Sequence, residues 1–493
     1  MAARPVNIYN VNNMPQTPKR RALIVYLVTA LYAAMMFLSL KFRFLDFLLP
    51  GTWHGRIGFD FFSVPRSWIN LLHGQSIYFT RGNDFGPYAS WFPYHPAVSP
   101  LLGGWLSLFS PWVSFWIFSG LSFGALCCCG YLFSRLTENP VHKALAYFFM
   151  VCSPVVYLML WAGQLHVLVV AAVALVLADL LELMDGKPAR KFRLKLACGI
   201  LISLFSKPII LPVLAALAIV PQYRRTIVYC AGAYAAVSFA LWFVPFFNPR
   251  SVGLDRLVEV ALHPEIMFRL ELYRGVWISS YKPEYVFDNA IHWFNMKMRS
   301  DMGEPFNFEL FSLTGFFSGF GFPAWFFKLP AWFALALCVP AYFVRKTASA
   351  FKLAFLGAGL LIMSFFLSYT IVYEYHYTVL LPLLAGSFIL YHKTGDAVLK
   401  TALLVFCAAG ALLYVPTAYF MVRNPVLVHH TAQTARFSDP FISIVLSENI
   451  YGYVLRQIRF MRVLPVMVMY GAFAFAMLAE LKSGFSVGAR DAS

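Results

Sequence analysis

Long apolar runs separated by short polar punctuation fill most of the chain. A helix needs roughly 17–25 residues to cross a hydrocarbon layer of about 30 Å. Runs of that kind lie at about 22–41, 113–134, 144–161, 165–184, 226–247, 323–344, 352–372, 377–392, 399–420 and 463–481. Two further apolar stretches do not fit as simple crossings. Residues 97–109 sit between Pro96 and Pro111 and are too short to cross, so a re-entrant or membrane-embedded half-helix is expected there. Residues 196–220 have basic flanks on both sides, which one crossing would separate. Two half-helices meeting at Lys207-Pro208 resolve this, because proline lacks an N–H and disfavours helix at the residue before it.

Composition agrees with the pattern. Hydrophobic residues make up 60% and charged residues 12%, about half the charge a soluble domain of this size carries. The expected fold is therefore an all-α polytopic membrane protein of roughly 11–13 helices, counting half-helices. The net charge of +17 raises the question of nucleic acid. Its basic residues, however, cluster in short loops such as 187–195, Arg224-Arg225 and Arg345-Lys346. Short basic loops mark the cytoplasmic side of a membrane protein, so no nucleic-acid partner is needed. All eight cysteines fall inside apolar runs and read as small buried hydrophobes.

Alternating crossings from a cytoplasmic tail (1–21) divide the chain into a transmembrane region (22–392) and C-terminal helices (393–493). The long polar segments, 42–112, 248–322 and 421–462, all fall on the exterior side, and both termini on the cytoplasmic side. Any chemistry is then expected at the exterior face.

Several residues near that face can carry chemistry. Asp60 stands alone among aromatics in Phe59-Asp60-Phe61-Phe62, followed by an amphipathic stretch suited to the interface. An apolar setting disfavours a charged carboxylate and makes it a better base. The alternative is that Asp60 caps the short helix after it. Lys207 lies within an apolar stretch, where an ammonium needs a partner or a wet cavity; it reads either as a phosphate or carboxylate ligand or as a snorkelling side chain. Gln164 and His166 occupy a turn between two crossings, and His376 begins another. Tyr94 and His95 map to the same boundary. Each alone has a structural explanation; their convergence is the signal. No nucleotide-binding glycine motif, serine-hydrolase elbow or zinc-protease motif occurs.

In order along residues 20–390, these elements resemble the GT-C class of integral membrane glycosyltransferases, and within it family 87, the polyprenol-phosphate-mannose dependent mannosyltransferases. The resemblance rests on Asp60-Phe61-Phe62, Leu71-Leu72-His73-Gly74 through Tyr78, Phe92-Pro93-Tyr94-His95-Pro96, Gly163-Gln164, Gly199 through Ser206-Lys207-Pro208, and His376-Tyr377 before Leu380-Leu381-Pro382. It departs at His95, where the family often has proline, and at His166, where a small or amide residue is common; the chain beyond 390 has no counterpart. The resemblance implies a GT-C-like bundle with amphipathic exterior-loop helices. It also implies an inverting transfer of a hexose or pentose, mannose first, from a polyprenyl-phosphate donor to a lipid or glycan acceptor. Asp60 would be the base, and Lys207 and His376 would bind the donor phosphate. Tyr94, His95, Gln164, His166 and Arg66 would shape the sugar and acceptor pocket. No cofactor is required by this reading, with a divalent metal left open. The implied location is a bacterial plasma membrane with the site facing outward. The competing expectation is a transporter or flippase of a lipid-linked or small polar solute, since broken helices and a buried lysine serve transport too.

Overall fold

The computed structural model describes residues 18–46, 57–73, 85–87, 92, 94–186, 193–207, 209, 211–243, 313, 322–323, 325–344, 347–369, 372–417 and 448–490. The tail 1–17, the Gln75–Tyr78 element, the basic stretch 187–192, nearly all of the expected loop 248–322 and residues 421–447 lie outside them. Among the described residues every regular element is helical. Six helices are long and apolar enough to cross a membrane, and a bent pair makes a seventh. This is a multi-pass membrane protein.

Helix α1 (Pro18–Phe42) is a 25-residue crossing that leaves Leu23, Leu27, Leu31 and Leu38 uncovered, as a lipid-facing helix does. The short amphipathic α2 (Ser63–Leu72) follows and buries Val64, Ser67 and Asn70. It packs on the 97–109 stretch, which does not cross: Ser99–Gly103 is a π-helical turn running into the three-residue helix Gly104–Leu106. Ser67 Oγ donates to Ser99 Oγ at 2.9 Å. A Cβ on Gly103 would lie 2.5 Å from the Val64 carbonyl oxygen, so glycine is what lets the two segments meet.

The next crossing is α3 (Pro111–Ser134). The run expected as one helix at 144–161 is instead two, α4 (Pro140–Val151) and α5 (Pro154–Ala162), bent by 45°. Pro154 causes the bend: Ser153 before it is extended, φ −105° and ψ 138°, as the residue preceding proline tends to be. Helix α6 (His166–Met184) returns and is almost wholly buried. Helix α7 (Leu194–Ser206) stops where the sequence places the break, with Lys207 extended at φ −140° and ψ 115°. Its 13 residues span about 20 Å, too little to cross. The chain continues through α8 (Val213–Leu217) into α9 (Pro221–Phe243), which covers most of the crossing expected at 226–247.

The second half contains α10 (Leu329–Tyr342), α11 (Thr347–Ser368), a 3-10 turn (Glu374–Val379) running directly into α12 (Leu380–Lys393), and α13 (Ala397–Gly410) with its own 3-10 extension (Ala411–Tyr414). The last element, α14 (Glu448–Arg490), is a 43-residue helix running through Pro465. It begins well before the crossing expected at 463–481, so part of the segment read as loop 421–462 is helical.

Side-chain bridges identify one end of the bundle. Lys393 of α12 meets Asp185 after α6 at 2.5 Å. Lys352 of α11 bridges Asp396 before α13 and Glu480 of α14. Arg193 reaches Asp179 of α6, and Tyr223 of α9 donates to the same carboxylate at 2.8 Å. The opposite end of α6 begins at His166, with Gln164 in the turn just before it.

Candidate functional site

The site begins with a helix end that cannot satisfy itself. The last carbonyls of an α-helix have no intrahelical partner. At the end of α5 the carbonyl of Trp161 accepts from Gly58 N–H at 2.7 Å, and that of Ala162 from Asp60 N–H at 3.1 Å. The Asp60 segment is thereby fastened to α5. Gly163 then turns the chain with φ +67°, the left-handed region that glycine enters without penalty. A Cβ there would also fall 2.4 Å from Cβ of Phe61, so glycine is required twice over. The turn sets the next residue, Gln164, beside Asp60.

Gln164 joins an acid to a base. Its Nε2 donates to Asp60 Oδ2, and its Oε1 accepts from Lys207 Nζ at 2.8 Å. The amide orientation follows from chemistry: an ammonium only donates and a carboxylate only accepts. At α2 the N-cap position falls on Phe62 rather than Asp60. That helix starts at Ser63, after Phe62, with no side-chain cap; the Asp60 carbonyl accepts from Ser63 Oγ at 2.7 Å while the carboxylate meets Gln164.

Lys207 is 5% exposed. The break after α7 puts its ammonium 5.6 Å from the ring centres of both Tyr94 and Tyr375, within cation–π range. His166 and His376 face each other with ring centres 4.7 Å apart, and His166 also lies edge-on to Tyr375 at 5.9 Å. His376 Nδ1 accepts from Tyr373 N–H at 3.0 Å, so the ring's own proton is on Nε2. Burial, with His166 and Lys207 nearby, holds His376 well below the ordinary histidine range. Its Nε2–H is then the ring's available donor. Neither ring nitrogen of the fully buried His166 makes a well-formed hydrogen bond, the His376 backbone being the polar group nearest to serving it.

Two of the expected pocket residues have their polar atoms engaged elsewhere. His95 Nδ1 accepts from Ala97 N–H at 3.2 Å, and its Nε2 meets Ser238 Oγ at 3.0 Å. Its ring packs on Phe205 and Tyr234, and burial pushes its pKa down to about 4. Arg66 Nε and Nη2 hold the carbonyls of Phe85 and Gly86 at 2.5 and 2.7 Å, bringing Gly86 against the Phe62 ring. The structure thus joins Asp60, Gln164, Lys207, Tyr94, His166 and His376, with His95 and Arg66 bracing segments around them.

Sequence reasoning missed three participants. Tyr375 supplies the second ring at Lys207, and Trp161 buries an unpartnered Nε1–H next to the Gly163 turn. Glu374 is the third; it is the single carboxylate between residues 349 and 392, the same lone-acid signal that marked Asp60. Among the described residues no three His, Cys, Asp or Glu side chains gather as metal ligands. An apolar groove of about 580 Å³ lies between α10 and α14, lined by Trp332, Phe333 and Tyr470 among others, and includes none of the site residues.

Compared with family models, curated proteins and solved structures, the chain matches none.

Proposed function

We propose that the protein is an inverting glycosyltransferase of GT-C type that moves a sugar, mannose first among hexoses and pentoses, from a polyprenyl-phosphate donor to a lipid or glycan acceptor. The observation that carries this reading is the buried Asp60–Gln164–Lys207 chain beside His166 and His376, at one end of a multi-pass bundle. A transfer of this kind needs a base for a hydroxyl and a counter-charge for a departing phosphate, both sheltered from water. In the proposed step the acceptor oxygen bonds to the anomeric carbon as the bond from that carbon to the phosphate oxygen breaks. The hydroxyl proton passes to Asp60, and the bonding electrons leave with the phosphate. Lys207 and the Nε2–H of His376 stabilise that phosphate. The neutral His376 adds a directed hydrogen bond; the charge comes from Lys207.

In the same reading the Asp60 end faces the exterior and the basic end faces the cytoplasm, as the short basic loops favour. Cysteine labelling at positions 191 and 288 should find them on opposite sides; a shared side would overturn this orientation. The break between α7 and α8 favours a second reading, transport of a lipid-linked or polar solute. One experiment separates the two. The purified protein is given a panel of polyprenyl-phosphate sugars and acceptor lipids, and products are read by mass spectrometry. A glycosylated lipid that depends on Asp60 supports the transferase. No product from any donor, together with solute movement in proteoliposomes, defeats it.

A further inference from the structure

The turn that carries His376 and Tyr375 is held from outside the region of the family resemblance. Glu374 opens that turn and is 2% exposed. Its Oε1 accepts from Nε and Nη2 of Arg462 at 2.9 and 2.7 Å, and its Oε2 from Thr417 Oγ1 at 3.1 Å. Arg462, 1% exposed, belongs to α14 and also donates from Nη1 to the Leu412 carbonyl at 2.7 Å. One guanidinium therefore ties the last helix and the end of α13 to the residue two positions before His376. The fork is specific to arginine; a lysine at the same place is a point charge that cannot make these bonds together.

A buried ion pair is poor evidence of added stability, because desolvation offsets the attraction. It is better evidence of a fixed position. On this turn, position decides the site: Tyr375 faces Lys207, His376 faces His166, and Tyr373 orients the His376 ring. We infer that Arg462 is a positioning residue, and that α14 completes the site by holding Glu374 and, through it, the His376–Tyr375 wall against Lys207. The functional half of the inference rests on the proposed donor-phosphate role of His376; the structural half does not.

The test uses the full-length protein with Arg462→Lys and the double variant Glu374→Gln/Arg462→Met. The double variant removes both charges together and leaves neither buried alone, so it keeps the inference testable if the single variant does not fold. The first readout is carbethoxylation of histidines by diethylpyrocarbonate, followed peptide by peptide with mass spectrometry. His376 and His166 should be modified at least fivefold faster than in the unaltered protein. His95, also buried but braced by Ser238, should be unchanged. The second readout is kinetic: KM for a polyprenyl-phosphate donor should rise about tenfold or more, with acceptor KM within twofold. Unchanged protection at His376, or an equal rise at His95, would overturn the positioning role, since the first shows no coupling and the second only general loosening. Normal donor KM with selective His376 exposure would overturn the functional half. If the unaltered protein transfers no sugar, the glycosyltransferase reading fails and the protection experiment still decides the structural half.

Discussion

The site end of the bundle contains an arrangement of buried charge that the basic end lacks. At the basic end, carboxylates meet cations directly. The Asp179 carboxylate accepts from Nε and Nη2 of the Arg193 guanidinium, with side chains 4% and 6% exposed, and also from the Tyr223 hydroxyl. Lys195, Lys352 and Lys393 each reach an acid in the same way. At the other end one direct pair, Glu374 with Arg462, stands beside a different arrangement: Asp60 and Lys207 share the Gln164 amide, and the His166 and His376 rings lie 4.7 Å apart. The first arrangement closes helix ends onto one another. The second keeps polar groups aimed at a common point in an apolar setting, where each is worth more to a ligand than it would be in water. The contrast separates two arrangements of charge in this chain: ion pairs that join helices, and an amide-bridged acid and base that the proposed function would use on a substrate.

Mutations can break that comparison from either side. The largest expected effect is on stability. Asp179→Ala removes the counter-charge of a buried Arg193 and should lower apparent stability by about 3–5 kcal/mol, read as a large drop in melting temperature and in detergent-soluble yield. An unaltered melting temperature would mean that the basic end does not hold the helices. At the site end the balance should reverse. Asp60→Asn should melt normally while transfer falls by roughly 10²-fold or more, the scale of losing acid–base catalysis. Asp60→Glu retains a carboxylate in the wrong place and should also be severely impaired. Near-normal transfer by Asp60→Asn would move the base elsewhere.

Smaller effects sharpen the contrast. Lys207→Met and His376→Ala should each leave the protein inserted yet reduce donor use by about 10–150-fold, corresponding to about 1.5–3 kcal/mol for a hydrogen bond to a charged group. Donor kinetics like those of the unaltered protein in both would remove the phosphate assignment. The smallest effect should come from the partly exposed pair at the basic end. Lys393 and Asp185 are 32% and 29% exposed, so Lys393→Ala should cost no more than about 1 kcal/mol. A loss as large as that from Asp179→Ala would show that exposure does not rank these pairs.

Part of the fold was legible in the chain. Among the described residues apolar length located seven of the ten expected crossings, counting the bent pair as one, while those expected at 226–247, 323–344 and 377–392 are not among the helices long and apolar enough to span. Pro208 announced the break that places Lys207. Pro154 carried the same warning for α4 and α5, but that apolar run was read as one helix because hydropathy does not register a bend. The start of α14 was missed for the opposite reason: a helix extending beyond the membrane loses its apolar signature and reads as loop. In the site, Asp60, Lys207 and His376 were legible because a polar group in an apolar run is expensive and needs an explanation. Glu374 met the same criterion and was passed over, since its partner Arg462 lies 88 positions away in sequence.

Composition and periodicity alone determined that this chain crosses a membrane as helices, that Asp60, Lys207 and His376 carry polar groups in apolar surroundings, and that proline breaks the chain after Lys207. These are local properties: each follows from a residue and its near neighbours on the chain. Only the tertiary structure decided that Gln164 would stand between Asp60 and Lys207, that Gly163 would press against Phe61, and that the last helix would reach the His376 turn through Arg462. Those are contacts between segments far apart in sequence, set by how helices pack, and hydropathy has no term for which helix meets which.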